Sequence, residues 1–282
     1  MKIFITGSKG QLAEAFIRRF KEQGDECAAG DMDALDIGER DTVMRAVRAS
    51  RPALIVNCAA YNLVDKAEQD PETAFRANAY GPENLALAAL ETGAFLVHFG
   101  SDYVFDGSKT SGPYDERDAA APLNKYGASK LAGEELIRKT GARHLILRLS
   151  WVFGNGNQNF IAKLLEWARK PGPLTVVEDE VSAPTYTEDA VTGSLAALKT
   201  GLEGLWHLPN TGSASRYEWA GLVLKTLNME KKLLPGRIAD FKLPARRPVF
   251  SAMTNAAISR ELGITIPHWS ESVKKFLEKT YG

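Results

Sequence analysis

The chain's 282 residues leave room for about two domains at ~150 residues each. A hydrophobic fraction of 44% and a charged fraction of 25% exclude disordered, collagen-like and coiled-coil chains. Thirty-five Lys and Arg balance thirty-five Asp and Glu, so the basic excess that nucleic-acid binding draws on is missing.

From the N-terminus, Lys2–Thr6 reads as a strand, Gln11–Gln23 as a helix and Glu26–Ala29 as a weak strand. Arg40–Ala49 is helical in pattern, and Ala53–Asn57 is a buried strand. Glu72–Glu91, rich in Ala and Leu, predicts one long helix, with a strand over Ala94–Phe99 behind it. Leu131–Lys139 falls within a helix and His144–Leu149 reads as a strand. Short apolar strands alternating with helices predict βαβ units and a parallel sheet covered on both faces. The second half is less regular. A helix over Asn159–Lys170 stops at Pro171-Gly172-Pro173, and Leu174–Val177 is a short strand. Glu188–Lys199 is helical, Gly204–Leu208 a strand, and Ser215–Leu227 and Trp269–Thr280 close the chain as helices. Lys231–Ser251, with several prolines and basic residues, reads as loop.

Two cysteines, Cys27 and Cys58, make no disulfide framework. None of His98, His144, His207 and His268 is spaced as zinc ligands are, so no metal site is assigned. The apolar run after Met1 is too short for a signal peptide, and no stretch approaches the ~18–20 apolar residues of a membrane span. A cytoplasmic protein without membrane or nucleic-acid partners is expected.

Directly after the first strand comes Thr6-Gly7-Ser8-Lys9-Gly10-Gln11-Leu12-Ala13. Gly7 permits the sharp strand-to-helix turn, and Gly10 lets backbone approach a pyrophosphate. The helix beginning there aims free N–H groups at the phosphates. The pattern G-x-x-G-x-x-A departs from G-x-G-x-x-G, but its place between strand and helix gives it weight. Asp31, roughly 20 residues on, stands where an acid binds the adenosine ribose, which favours NAD(H). No arginine adjoins it to hold a 2′-phosphate, although Lys9 offers a cation. Asp36 and Ile37 are expected beside the adenine. The fold expected is therefore α/β. A Rossmann-type doubly wound sheet spans residues 1–155, and a smaller, irregular substrate-binding domain spans 156–282. A strand near 204–209 returns from the second to the first.

Tyr126-Gly127-Ala128-Ser129-Lys130 holds Tyr-x-x-x-Lys at helical spacing, so phenol and ammonium share a face. A neighbouring ammonium is expected to lower the phenol's pKa and fit Tyr126 to protonate a carbonyl oxygen. Ser101, after the strand ending at Phe99, sits where parallel sheets deliver catalytic groups. Asn78 is a further candidate for a structural or proton-relay contact.

In this order the parts resemble the extended short-chain dehydrogenase/reductases. The wording of Val56–Tyr61, Val64–Glu68, Ser101–Gly107, Ser150–Gly154, Asn159-Phe160, Pro184–Tyr186 and Arg247-Pro248 is similar to one subfamily, the dTDP-4-dehydrorhamnose reductases. The resemblance runs from Lys2 to about Phe276. It implies that Ser101, Tyr126 and Lys130 are catalytic and that NADPH or NADH is the cofactor. Gly7, Lys9, Gly10, Gln11, Leu12, Asp31, Asp36, Ile37, Cys58, Ala59, Ala60, Tyr61, Asn78, Tyr126 and Lys130 would meet that cofactor. A dTDP-sugar would lie against Asn62, Val64, Ser101, Asp102, Tyr103, Tyr126 and Trp151, the last offering a flat face to the deoxysugar. Asn159 and Arg247 would serve its diphosphate side. Homodimers fit the resemblance. Some members are metal-bridged dimers, but no residues of this chain are assigned to that carboxylate cluster, so magnesium stays unassigned.

Four departures from the family's wording stand out, the last two on the substrate side. Ser101 stands where Thr is usual, and Asn62 replaces Thr. Glu180 brings a carboxylate where the family has Gln, and the Gly two residues later is lost. Dehydratases of this fold carry Glu where Tyr103 stands, which argues against dehydration. A ketoreductase of another nucleotide sugar, and a regulatory protein like the methionine adenosyltransferase subunit, are the remaining alternatives. The intact Ser101, Tyr126 and Lys130 favour catalysis.

Overall fold

A computed structural model describes residues 1–33 and 35–282. The first half runs β1 (Lys2–Thr6), α1 (Gln11–Glu22), β2 (Glu26–Gly30), α2 (Arg40–Ser50), β3 (Leu54–Asn57), α3 (Val64–Gln69), α4 (Pro71–Phe75), α5 (Gly81–Thr92), β4 (Phe95–Ser101), α6 (Lys125–Thr140) and β5 (His144–Leu149). The second half follows with β6 (Val152–Phe153), α7 (Phe160–Ala168), β7 (Leu174–Val177), β8 (Val181–Ser182), β9 (Thr185–Tyr186), α8 (Thr187–Thr200), β10 (Gly204–His207), β11 (Ala214–Ser215), α9 (Arg216–Thr226), β12 (Leu233–Gly236), α10 (Ala256–Leu262) and α11 (Trp269–Tyr281).

Six parallel strands form the central sheet in the order β10-β5-β4-β3-β1-β2. Buried inner strands such as Leu54–Asn57 are apolar because both faces are covered. The weak-looking β2 is one of the two edge strands, largely exposed, and needs no such run. On one face, Ala13, Phe16 and Phe20 of α1 pack with Ala190 and Val191 of α8 over Ile3, Ile5 and Val97. On the other, Val43 and Val47 of α2, Leu85 and Ala89 of α5 and Ile137 of α6 cover Ile55 and Leu96. A separate core joins α7, α9 and α11 around Phe153, Trp219 and Phe276. Among the described residues, no helix is long and apolar enough to cross a membrane.

Three expectations are corrected. The helix expected over Glu72–Glu91 is broken into α4 and α5 by a π turn at Arg76–Tyr80. Pro82 has no N–H to offer the Asn78 carbonyl four residues back, so the regular ladder cannot continue. The Lys231–Ser251 segment is not all loop, since β12 pairs with β7 and a 3-10 turn follows at Ile238–Phe241. The short helices α3 and α10 were not foreseen; neither exceeds two turns.

Candidate active site

The strand order reverses between β1 and β3, and their carboxyl ends open the crevice where such sheets bind ligands. Gly7 leaves β1 at φ +67, and a Cβ there would come within 2.7 Å of the Ala59 backbone. Glycine thus lets the two loops of the crevice touch. Gly10 is the N-cap of α1 and supplies no side-chain acceptor, so the first N–H groups of α1 remain available to an anion. The β3 loop is fixed by a buried polar row. The Thr6 hydroxyl donates to Asn57 Oδ1 at 2.7 Å, and Asn57 Nδ2 lies 2.9 Å from His98 Nδ1. Ala59 N donates to the same Asn57 oxygen. These features fit a dinucleotide: a glycine cradle, an uncapped helix start and the half-buried Cys58, Ala59, Ala60 and Tyr61 opposite.

At the adenosine end, Lys9 Nζ lies 3.2 Å from Asp31 and 2.5 Å from Asp33, so acid and cation stand together. Asp36 accepts from Arg76 at 2.7 Å and from Gly38 N at 2.8 Å. Ile37 is core, with its side chain packed over Gly81. The Gln11 side chain bonds the Val152 carbonyl at 3.0 Å and ties the cradle to the second half, while Leu12 packs on the sheet core.

Asn78 was expected against the cofactor; its buried amide is instead spent on the protein. It grips both backbone groups of Tyr61 at 2.8 and 3.0 Å and donates to Ser129 Oγ at 3.0 Å. It positions the β3 loop against α6.

Ser101 ends β4, and Tyr126 is the second residue of α6. Asn124 caps α6 through Gly127 N, and its Nδ2 holds the Arg246 carbonyl. Gly127 is required, since a Cβ would fall 2.1 Å from the Tyr103 carbonyl oxygen. The Ser101 hydroxyl lies beside the Tyr126 phenol and lowers its pKa, but burial dominates and pushes the phenol up to about 12. Asp102 pushes the same way. The expected acidification by Lys130 is therefore corrected. Its Nζ donates to the Phe99 carbonyl at 2.6 Å, and burial holds the ammonium down at about 8. A neutral phenol is still the state that a proton donor needs.

Behind these groups lies a buried polar wall. Asp102 accepts from Ser182 at 2.7 Å and Ser251 at 2.6 Å, and burial raises its carboxyl to about 6. The Tyr103 ring meets Tyr126 edge-on at 5.8 Å. Tyr103 Oη donates to Glu180 Oε1 at 2.8 Å, and burial with the Glu180 charge holds that phenol well above its ordinary value. Val64 opens α3, and Asn62 is exposed at its entrance.

Three substrate-side expectations change. Trp151, at φ +44, does not offer a bare face, because the Arg216 guanidinium lies 3.5 Å from its ring centre. Asn159 caps α7 through Ala162 N, and its Nδ2 serves Gly154, Gly156 and Gln11. Its amide is occupied by the loop. Arg247 forks onto Asp65 at 3.0 and 2.7 Å and onto the Ala245 carbonyl, and holds the Asp65 carboxyl below the usual range. Arg216, Ser182 and Ser251 were missed. Ser182 fills the place of the lost Gly, whereas no motif marks Arg216 or Ser251.

The chain matches the RmlD substrate binding domain family over residues 1–281. It is 34% identical to the spore coat polysaccharide biosynthesis protein SpsK of Bacillus subtilis, covering 99% of this chain and 97% of that one. It is also 34% identical to the dTDP-4-dehydrorhamnose reductase of Escherichia coli, covering 100% and 98%. Among solved structures, the Bacillus anthracis dTDP-4-dehydrorhamnose reductase in complex with NADP is similar at a TM-score of 0.95 and 34% identity, with 99% of both chains covered. Sheet order and end-to-end likeness agree, and the chain belongs to the RmlD substrate-binding domain family of dTDP-4-dehydrorhamnose reductases.

Proposed function

We propose that the protein reduces the C4 ketone of dTDP-4-dehydro-L-rhamnose with NADPH or NADH, giving dTDP-L-rhamnose for cell-surface polysaccharide. The carrying observation is that the Ser101 hydroxyl and the Tyr126 phenol lie side by side on the rim that holds the glycine cradle. Reduced nicotinamide, when bound, supplies the hydride. Gly7, Gly10 and the first N–H groups of α1 hold the diphosphate of the cofactor. Ser101 and Tyr126 donate hydrogen bonds to the ketone oxygen, and Tyr126 gives up its proton as that oxygen becomes an alcohol. Lys130, buried one turn along α6 from Tyr126, keeps N–H groups beyond its bond to the Phe99 carbonyl to donate to a ribose hydroxyl. Tyr103 walls the sugar and fixes its angle to the phenol, which supplies rate by positioning.

The test is oxidation of NADPH or NADH in the presence of dTDP-4-dehydro-L-rhamnose made in situ. Turnover that depends on the ketosugar is expected. Tight cofactor binding with no oxidation by any keto-deoxysugar nucleotide overturns the reading.

A further inference from the structure

We propose that Arg216 is the side chain that binds the diphosphate of the sugar nucleotide, with Glu180 as the residue that positions it. The inference rests on the nucleotide-sugar reading above. Two guanidinium groups flank the Tyr103–Glu180 pair, Arg216 and Arg247, and both bear on the Tyr103 phenol. Arg247 has its fork committed to Asp65 and a third bond to the Ala245 carbonyl. Arg216 is different. Its Nε lies 3.5 Å from Glu180 Oε2, and among the described residues its two terminal nitrogens donate to nothing. Its side chain keeps 20% of its surface exposed, while Glu180 behind it keeps 8%.

The guanidinium is held flat. It lies 3.5 Å from the Trp151 ring centre and 5.2 Å from that of Phe160. Its backbone N–H reaches the Glu180 carbonyl at 3.3 Å. Clamped at Nε and stacked on an indole, it has both Nη groups left for a bidentate oxyanion. Trp151 Nε1 also lacks an acceptor among the described residues, so this wall carries surplus donors.

The chemistry of the substrate sets the distance. In a hexose the carbon bearing the diphosphate stands across the ring from C4. A ketone at Tyr126 therefore puts the phosphates one wall away, beyond Tyr103. Arg216 is joined to Tyr126 by a relay of contacts through the Tyr103 ring and the Glu180 carboxylate, which makes it the free guanidinium on that side. With Gln at position 180 the charge that steadies the guanidinium would be gone. The Glu180 departure thus reads as a local rewiring of diphosphate binding.

The experiment is calorimetric titration of the full chain with dTDP and, separately, with thymidine. Arg216→Gln is expected to weaken dTDP binding by about 10- to 100-fold, the range for hydrogen bonds to charged groups, while thymidine and NADPH bind as before. Arg216→Lys keeps the charge without the fork and is expected to fall between the two. It carries the test should Arg216→Gln fail to fold. Wild-type affinity for dTDP in both variants overturns the assignment alone. A wild-type protein that binds no dTDP overturns the nucleotide-sugar reading and the assignment with it.

Discussion

The two walls of the cleft are built by different means. One wall is made of groups delivered by strand ends: Gly7 after β1, Cys58–Tyr61 after β3 and Ser101 at the end of β4. The opposite wall is made of side chains that meet across long stretches of sequence. Asp102 is held by Ser182 and Ser251, Tyr103 by Glu180, and Asp65 by Arg247. The first wall is fixed once the sheet forms. The second exists only when several loops have packed, so a single side chain there has more consequence for shape.

The largest expected effect sharpens the contrast at the rim itself. Tyr126→Phe removes only the proton donor, so kcat is expected to fall by about 10²–10⁴-fold while the cofactor Kd holds. Single-turnover kinetics beside cofactor titration measure both. Equal losses in the two would move Tyr126 from chemistry to binding.

The next effect probes the side-chain wall by pH. Burial raises the Asp102 carboxyl from an ordinary 3.8 to about 6. Between those values the folded chain holds a proton that the unfolded chain releases, so the contribution of Asp102 to stability falls as pH rises. Measured against Asp102→Asn, wild-type stability should drop by about 2 kcal/mol from pH 4 to above pH 6. Denaturant melts of both proteins across that range test it, and a constant difference would show an ordinary carboxylate.

Smaller effects follow at the edges. Asn159→Ala removes the α7 cap and should cost about 1 kcal/mol in stability. Affinity for dTDP should barely change, since the amide is occupied within its own loop. A large loss of dTDP affinity at unchanged stability would restore Asn159 to the diphosphate side. Smallest of all, Lys9→Ala should weaken NADPH relative to NADH by about fivefold or less, because the ammonium is exposed beside Asp31 and Asp33. Competition titration with the two cofactors reads the ratio.

The same division decides what the sequence makes legible. Strands of apolar residues, the glycine turn and the Tyr-x-x-x-Lys spacing are local patterns, so the parallel sheet and the placement of Ser101 and Tyr126 follow from them. The condition of the phenol does not. Whether Lys130 faces Tyr126 or the Phe99 carbonyl depends on how deeply α6 sinks, which turns on Gly127 meeting the Tyr103 backbone. Arg216 is further out of reach. Nothing near it in the chain announces Trp151 beneath it or Glu180 beside it, and those partners come from segments 65 and 36 residues away. Asn159 and Arg247 carried the motif's wording, but wording gives no account of which partners a side chain has already taken.

The π turn at Arg76–Tyr80 has a mechanical consequence. A helix advances roughly 100° per residue, so one surplus residue offsets everything beyond it by about that angle. Without it, Leu85, Ala86, Ala88 and Ala89 would rotate away from the sheet they cover. The turn acts as a clutch between two segments of one rod. Within the turn, the angle is set by the grip of Asn78 on Tyr61; downstream, by the stripe of small apolar residues. Each is indexed separately, so the grip on the β3 loop can be adjusted without disengaging the helix from its sheet.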